Sequence, residues 1–151
     1  MSRPLYEEAQ DRRNELEVIR ILEKKWPDYS FKKLPSKYYV DFAAIHKDGI
    51  TAWVEIKCRN NNHNLYKTYM ISMDKVIHGL SFAEKTNKDF TLFVRWKDVI
   101  GWVTIDSIDK YSIEIGGRKD RGDTQDVEPV IHIPIEDFKI ITWPDGEGGH
   151  A

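Results

Sequence analysis

The sequence predicts an α/β (α+β) domain in which a helix is followed by a β-hairpin, a second helix and further strands. Three observations carry this prediction. Apolar residues recur at helical spacing over residues 6–25, residues 40–58 alternate between apolar and polar around a turn, and a helical stretch at 72–85 precedes two short apolar runs. Interleaved elements of this kind are typical of a sheet covered by helices.

Length and composition set the limits of the interpretation. With 151 residues the chain suits one domain with a substantial core, which we expect to span residues 1–144. We divide it into a core at about 6–105 and a C-terminal β extension at about 106–144, and expect a flexible tail at 145–151.

The chain carries one cysteine, Cys58, so an internal disulfide and a cysteine-based zinc site are both excluded. The N-terminus lacks an apolar signal region and no run approaches membrane-spanning length. We therefore expect a soluble cytoplasmic protein with no membrane partner. The formal net charge of −2 is low for a protein that holds nucleic acid, although basic residues cluster locally.

The first helix spans about residues 6–25 and is ended by Pro27. Its apolar stripe consists of Leu16, Val18, Ile19, Leu22 and Trp26. Glu15 lies at the edge of this stripe, because four of these residues, Val18, Ile19, Leu22 and Trp26, follow it at helical spacing. We expect its carboxylate to face inward, where a metal or a water network would be its partner. An exposed first-turn acid is the alternative, and Glu17 is a competing candidate.

The hairpin over residues 40–58 is the most informative part of the chain. Side chains two apart on a strand share one face, so Glu55 and Lys57 point the same way. A three-residue turn, Lys47-Asp48-Gly49, with its glycine in the left-handed conformation, would set Asp41 directly opposite Glu55. The sequence therefore predicts this turn.

Two carboxylates one cross-strand spacing apart repel each other but form a good oxygen nest for Mg²⁺ or Mn²⁺. Lys57 beside such a metal could orient or deprotonate the attacking water, or stabilise charge on a phosphate. The trio therefore suits phosphodiester hydrolysis. The alternative interpretation is that Glu55 and Lys57 form only a solvated surface ion pair. The apolar opposite face of the strand and the preceding Asp41 argue against this interpretation.

The polar loop at 59–69 leaves directly from this strand, and its side chains could hydrogen-bond phosphates. Ser72 is the predicted N-cap of the second helix, which runs to about residue 85. The buried stripe of that helix would be Val76, Ile77, Leu80 and Ala83. Our candidate nucleic-acid-binding residues are Arg59, Asn61, Lys67, Tyr69 and Lys75.

Strands at 90–96 and 99–105, joined by a tight turn at Lys97-Asp98, complete the predicted core sheet. The runs at 111–115, 130–135 and 138–143 predict additional β structure at one edge, interrupted by a charged loop at 116–128. The five histidines show no metal-ligand spacing, and we assign them no metal.

This order of elements, with the aspartate and the Glu-x-Lys sequence on a hairpin, resembles the PD-(D/E)XK nuclease superfamily, and most closely the archaeal Holliday junction resolvases. The likeness runs over about residues 14–105. The helix beginning Glu15-Leu-Glu-Val matches the family's opening helix, Val40-Asp41 matches the metal-binding aspartate, and Val54-Glu-Ile-Lys57 matches the glutamate and lysine. The resemblance implies a restriction-endonuclease-like αβββαβ core, with a mixed central sheet flanked by helices.

It also implies a Mg²⁺-dependent endonuclease, with Mn²⁺ as a substitute, acting on DNA in recombination, repair or restriction. Branched DNA such as Holliday junctions is one implied substrate, and a homodimer is the implied assembly. Asp41, Glu55 and the Ile56 carbonyl would hold the metal. Glu15 would support them through metal or water, and Lys57 would activate or position the water.

Two departures limit the resemblance. The β structure after residue 105 has no counterpart in the short resolvases, and the chain is not basic. General nuclease activity therefore transfers more safely than junction resolution. The alternative is a catalytically inactive nuclease-fold protein that binds nucleic acid or serves as an assembly subunit, against which the complete residue set argues. A third reading is that the aromatic C-terminal strands bind a protein partner.

Overall fold

The computed structural model describes residues 5–35, 40–47, 49–116 and 128–141. Two α-helices are present in this part of the chain, α1 (Leu5–Lys25) and α2 (Met73–Thr86), and neither is long and apolar enough to cross a membrane. The strands are β1 (Tyr29–Lys33), β2 (Phe42–His46), β3 (Gly49–Cys58), β4 (Thr68–Ser72), β5 (Asp89–Arg95), β6 (Ile100–Thr104), β7 (Ser112–Gly116), β8 (Glu128–Pro134) and β9 (Lys139–Ile141). The predicted tail at 145–151 and most of the predicted charged loop lie outside the described residues.

A six-stranded sheet in the order β1-β2-β3-β5-β6-β9 forms the centre of the fold. The pair β3 and β5 is parallel and is connected by a crossover that contains β4 and α2, and the other pairs are antiparallel. The mixed sheet flanked by helices is the predicted architecture, which is thereby confirmed. β9 joins its edge beside β6, where additional β structure was expected.

Helix α1 covers one face of this sheet with Val18, Ile19 and Leu22, which pack with Phe42 and other residues of β2, β3 and β5. Leu16, predicted to join them, is 50% exposed, so that prediction is wrong. The reason is angular. Each helical residue turns about 100°, which moves Leu16 roughly a quarter turn away from the stripe that Glu15 and Leu22 share.

The hairpin turn differs from the predicted one. His46 pairs with Gly49 and Ile45 with Ile50, and a β-bulge between Ala44 and Ile45 then restores the expected register. Among the described residues of the turn, Lys47 has the left-handed conformation, with φ of 49°, and Gly49, which begins β3, does not. Asp48, part of the predicted turn, lies outside the described residues. A shorter turn and a bulge together give Phe42 the partner Val54 that the three-residue turn would have given it.

Helix α2 covers the opposite face and has the predicted extent. Ser72 occupies its N-cap position but makes no side-chain capping bond. Ile77, predicted as buried, is 46% exposed. Gly79, about 200° around the helix from Ile77, faces the sheet instead and lies against the ring of Phe90. The absence of a side chain at Gly79 lets this helix approach the sheet closely.

A second sheet of three strands, in the order β4-β8-β7, packs on the α2 side. The sequence interpretation treated residues up to 69 as a polar loop and therefore missed β4. Its alternate residues Tyr69 and Ile71 enter the core together with Ile131 and Ile133 of β8. Two of the predicted C-terminal strands thus form a separate layer rather than an extension of the main sheet.

Candidate active site

Glu55 lies in the middle of β3, on the sheet face that α2 covers, and its side chain is only 1% exposed. The residues on either side of it, Val54 and Ile56, point to the other face and pack among the residues that α1 covers. The alternation of the strand therefore places one carboxylate inside an otherwise apolar layer.

Asp41 lies immediately before β2 and beside Glu55. Its backbone N–H donates to the Val54 carbonyl at 2.9 Å. Its carboxylate oxygen Oδ2 accepts a hydrogen bond from the Ile56 N–H at 3.0 Å. These two bonds fall on either side of Glu55, so Asp41 has the predicted position although the turn that produces it is different.

Two lysines contact the same oxygen of Glu55. Lys57 Nζ is 3.5 Å from Glu55 Oε2, and Lys75 Nζ, from the first turn of α2, is 3.3 Å from it. Both lysine side chains are about one-third exposed, at 34% and 35%. The lysines can therefore reach solvent or substrate while the carboxylate between them cannot.

The electrostatics of Glu55 are dominated by its burial, which raises the pKa of its carboxyl group above the ordinary value. The negative charge of Asp41 raises that pKa further. Lys57 and Lys75 lower it but do not cancel the effect. A cation placed between the two carboxylates would stabilise the ionised form of both.

One oxygen of this buried carboxylate, Glu55 Oε1, has no hydrogen-bond partner among the described residues. An unpaired buried acceptor is costly unless something binds it. Hard divalent cations such as Mg²⁺ bind one or two carboxylates and complete their shell with other oxygens. The pair of Asp41 and Glu55 thus fits such an ion, although no group of three or more His, Cys, Asp or Glu side chains in the described ranges is arranged to hold a metal.

Glu15, the fourth predicted site residue, is 18% exposed and pairs with Lys33 of β1 at 3.0 Å. Lys33 in turn lies over the ring of Phe42, the residue after Asp41, at 4.9 Å. The competing candidate, Glu17, is 55% exposed and forms an ion pair with Arg95 at the end of β5. Of the two glutamates, Glu15 is therefore the one paired with a lysine that contacts Phe42, the residue next to Asp41.

Three of the predicted nucleic-acid-binding residues line one pocket, which we call the loop pocket. Its volume is about 280 Å³ and its lining includes Arg59, Asn61, His63, Tyr66, Tyr69 and Trp96. Lys75 does not line it but contacts Glu55. Lys67 is exposed, and its backbone carbonyl accepts a hydrogen bond from the Ile135 N–H at 2.9 Å.

Two features of this region were missed from the sequence. His63 is held by Asp98, which accepts hydrogen bonds from the His63 backbone N–H at 3.0 Å and from ring Nδ1 at 2.7 Å. Burial opposes ionisation of Asp98, but these bonds outweigh it and lower the pKa of that carboxyl. The partners are far apart in the sequence, and no local pattern marks them.

The second is a hydrogen-bonded chain between the strands of the smaller sheet. Thr68 Oγ1 lies 2.7 Å from His132 Nδ1, and His132 Nε2 contacts the carboxylate of Glu114. The available indication that a strand begins here was the run of β-branched, aromatic and other apolar residues over 68–71, Thr-Tyr-Met-Ile.

Comparison with known proteins agrees with this geometry. A mixed sheet between two helices, with an aspartate and a Glu-x-Lys sequence on its central hairpin, has the layout of a PD-(D/E)XK nuclease. The model of the phage putative PDDEXK endonuclease family matches residues 1–141, and the chain belongs to that family.

The structure is also similar to that of Hjc, a Holliday junction resolvase from the archaeal hyperthermophile Archaeoglobus fulgidus. The identity is 15% and the TM-score 0.49, over 79% of this chain and 89% of that chain. No curated protein matches the sequence.

Proposed function

We propose that this protein is a Mg²⁺-dependent endonuclease that hydrolyses phosphodiester bonds of DNA inside the cell. The observation that carries the proposal is the Glu55 carboxylate, which is buried beside Asp41. One of its oxygens has no partner among the described residues, and two lysines contact the other. A purely structural ion pair would not need a second carboxylate next to it.

Asp41 and Glu55 would hold the metal through their carboxylates. The Ile56 carbonyl is a third candidate ligand, because its N–H is directed to Asp41, and the N–H and C=O of one strand residue point to the same neighbour. Glu15 would support the site through water or metal. A bound Mg²⁺ would polarise the scissile phosphate and favour hydroxide over water as the nucleophile.

In the reaction, a water oxygen forms a bond to phosphorus, and the bond from phosphorus to one ester oxygen breaks. Lys57 would orient the water or take up its proton, and Lys75 would stabilise the additional negative charge on the phosphate. The leaving oxygen ends as a hydroxyl group after it accepts a proton. Both lysines are partly exposed, so a phosphate can approach them without burying the DNA.

The test is cleavage of labelled four-way junction, flap, duplex and single-stranded DNA in Mg²⁺, Mn²⁺ or EDTA. We expect Asp41→Asn to lower cleavage by more than about 100-fold. Mutation of residues that only support metal ligands typically lowers metal affinity or activity 10- to 100-fold, and Asp41 would be a ligand itself. Asp109→Asn is the matched control, because Asp109 is exposed and lies outside the site. Equal cleavage by both variants would contradict the assignment.

A second measurement does not depend on activity. Mg²⁺ should raise the unfolding temperature of the wild-type protein and of Asp109→Asn but not that of Asp41→Asn, because a ligand stabilises only the state that binds it. DNA binding that is equal in Mg²⁺ and EDTA, without any cleavage, would instead support a non-catalytic binding or assembly protein. The same substrate panel tests branched DNA, and the mass of the protein in solution tests the proposed homodimer.

A further inference from the structure

We propose that the loop pocket binds one unpaired nucleobase of the DNA substrate, next to the phosphate that is cut. This inference rests on the proposed function for the identity of the ligand. The pocket is lined by residues of the loop after β3, by residues of the second sheet and by Trp96, and its volume is about 280 Å³. That is slightly below the range of about 300–1,000 Å³ found for drug-sized ligands, and it suits a single planar ring system.

The pocket lies close to the catalytic residues. Arg59 directly follows β3, two residues and therefore roughly 7 Å beyond Lys57. Its guanidinium lies over the ring of Tyr69, 4.9 Å from the centroid. The charge of Glu55 acts on the same tyrosine and adds to the rise in the pKa of its hydroxyl, which burial causes in the first place. Tyr69 thus lines the pocket and lies within electrostatic range of the buried carboxylate.

The walls of the pocket offer flat apolar surface. Tyr66 is 64% exposed and lies at the mouth, where a ring can stack on it. Trp96 and Tyr69 are almost fully buried, and the exposed Met70 and half-buried Ile135 also line the pocket. Stacking on aromatic side chains is the general way in which proteins hold single bases, because every base has a π face.

Charge argues for a base and against a phosphate as the occupant. Of the cationic or potentially cationic side chains in the lining, His63 is paired with Asp98 and His132 with Glu114. A carboxylate therefore already contacts each of these histidines and would balance its positive charge. Arg59 is the remaining cation of the lining and lies on an aromatic ring. A neutral planar group is better matched to this lining than a backbone phosphate, which carries a negative charge.

Polar groups in the lining can bond the edge of a base. The contact with Asp98 uses His63 Nδ1 and leaves Nε2 as the ring nitrogen for a ligand. Asn61 and Thr68 also line the pocket; Asn61 Nδ2 donates to the Asn62 carbonyl at 2.8 Å, and Thr68 Oγ1 lies 2.7 Å from His132 Nδ1. A base that is paired within a duplex cannot enter such a pocket, so the occupant is a nucleotide at a branch, in a flap or in a single strand.

The first test measures binding in EDTA, where cleavage is prevented. We place the fluorescent base 2-aminopurine singly at each position of the single-stranded arm of a flap DNA and add the full-length protein. We expect quenching at one position, caused by stacking, and its loss in Tyr66→Ala. Tyr66→Phe should retain the quenching, and so should Leu65→Ala, a change at a neighbouring residue of similar exposure (60%) outside the lining.

The second test measures cleavage of the same DNA with an abasic site at each position in turn. For the wild-type protein, removal of the one bound base should lower kcat/KM roughly 5- to 150-fold, the value of one base–aromatic stack. In Tyr66→Ala the same abasic site should lower kcat/KM little further, because the substitution and the abasic site remove the same stacking interaction. Penalties that simply multiply, or equal tolerance of abasic sites everywhere, would overturn the pocket.

The outcomes separate the two proposals. Position-specific quenching that depends on Tyr66, in a protein that cuts no DNA, would keep the pocket and reject the nuclease. Metal-dependent cutting without position-specific quenching would keep the nuclease and reject the pocket.

Discussion

At the scale of single residues, the unusual feature of this protein is a glutamate that folding alone does not favour. Glu55 is 1% exposed, lies beside another carboxylate and leaves one oxygen without a partner in the described part of the chain. A neutral side chain of the same shape would fit the apolar layer better. We infer that the residue is retained for metal binding, at a cost in stability.

The cost should appear as a dependence of stability on pH. Because burial and Asp41 raise the pKa of Glu55 in the folded state, the folded protein binds more protons than the unfolded chain above the ordinary glutamate pKa of about 4.3. The free energy of unfolding should therefore fall as pH rises from this value through the raised pKa, and then become constant.

We expect Glu55→Gln to remove this decline and to raise the unfolding temperature in EDTA at neutral pH by roughly 3 °C, equivalent to about 1 kcal/mol in a chain of this length. Denaturation curves over a pH series measure the effect. The control is Glu84→Gln, at an exposed position of α2, which should keep the wild-type slope. A wild-type slope in Glu55→Gln would mean that another group causes it.

At the scale of elements, the distance between α2 and the sheet decides where Lys75 lies. A Cβ atom at Gly79 would come within 2.5–2.6 Å of the ring of Phe90, closer than such atoms approach in real structures. Lys75 is one turn earlier on the same helix and contacts Glu55. The glycine therefore sets both the packing of the helix and the position of a charged group in the site.

Gly79→Ala should accordingly destabilise the protein by about 1–3 kcal/mol, the usual cost of overpacking, although alanine favours a helix by about 1 kcal/mol over glycine. We also expect a lower rate of DNA cleavage, because the displaced helix carries Lys75 away from Glu55. Chemical denaturation and cleavage rates measure the two effects.

Ser81→Ala on the same helix serves as the control and should gain a few tenths of a kcal/mol with unchanged cleavage. A Gly79→Ala protein as stable as the wild type would show that the helix can shift without cost.

At the scale of the whole molecule, the second sheet and the nuclease core share one hydrophobic cluster. Ile131 and Ile133 of β8 are fully buried in it together with Val76 of α2 and Leu92 of β5. The strand β9 completes the edge of the main sheet. We therefore expect the chain to unfold as one cooperative unit.

Ile133→Ala should lower the free energy of the single unfolding transition by about 2–5 kcal/mol, the cost of a cavity at a buried isoleucine. Ile140→Ala, at a position of β9 that is 42% exposed, is the control and should cost much less. Calorimetric and van't Hoff enthalpies of unfolding should agree for all three proteins. Two separate transitions, with only the smaller one affected by Ile133→Ala, would mean that the C-terminal strands form an independent unit.

The sequence by itself determined the order of the elements other than β4, and the shared face of Glu55 and Lys57. Both depend on local periodicity. Alternation along β3 puts Glu55 and Lys57 on one face, and helical spacing identifies the buried side of α1 at Val18, Ile19 and Leu22.

The tertiary structure decided what local periodicity does not encode. The bulge at Ala44 sets the register that a longer turn was expected to set, and the packing of α2 brings Lys75 to Glu55. The loop pocket joins residues such as Arg59 and His132 that are remote in the sequence and come together only when β4 pairs with β8. Such contacts arise from the packing of distant segments against one another, and the physical preferences of neighbouring residues do not determine them.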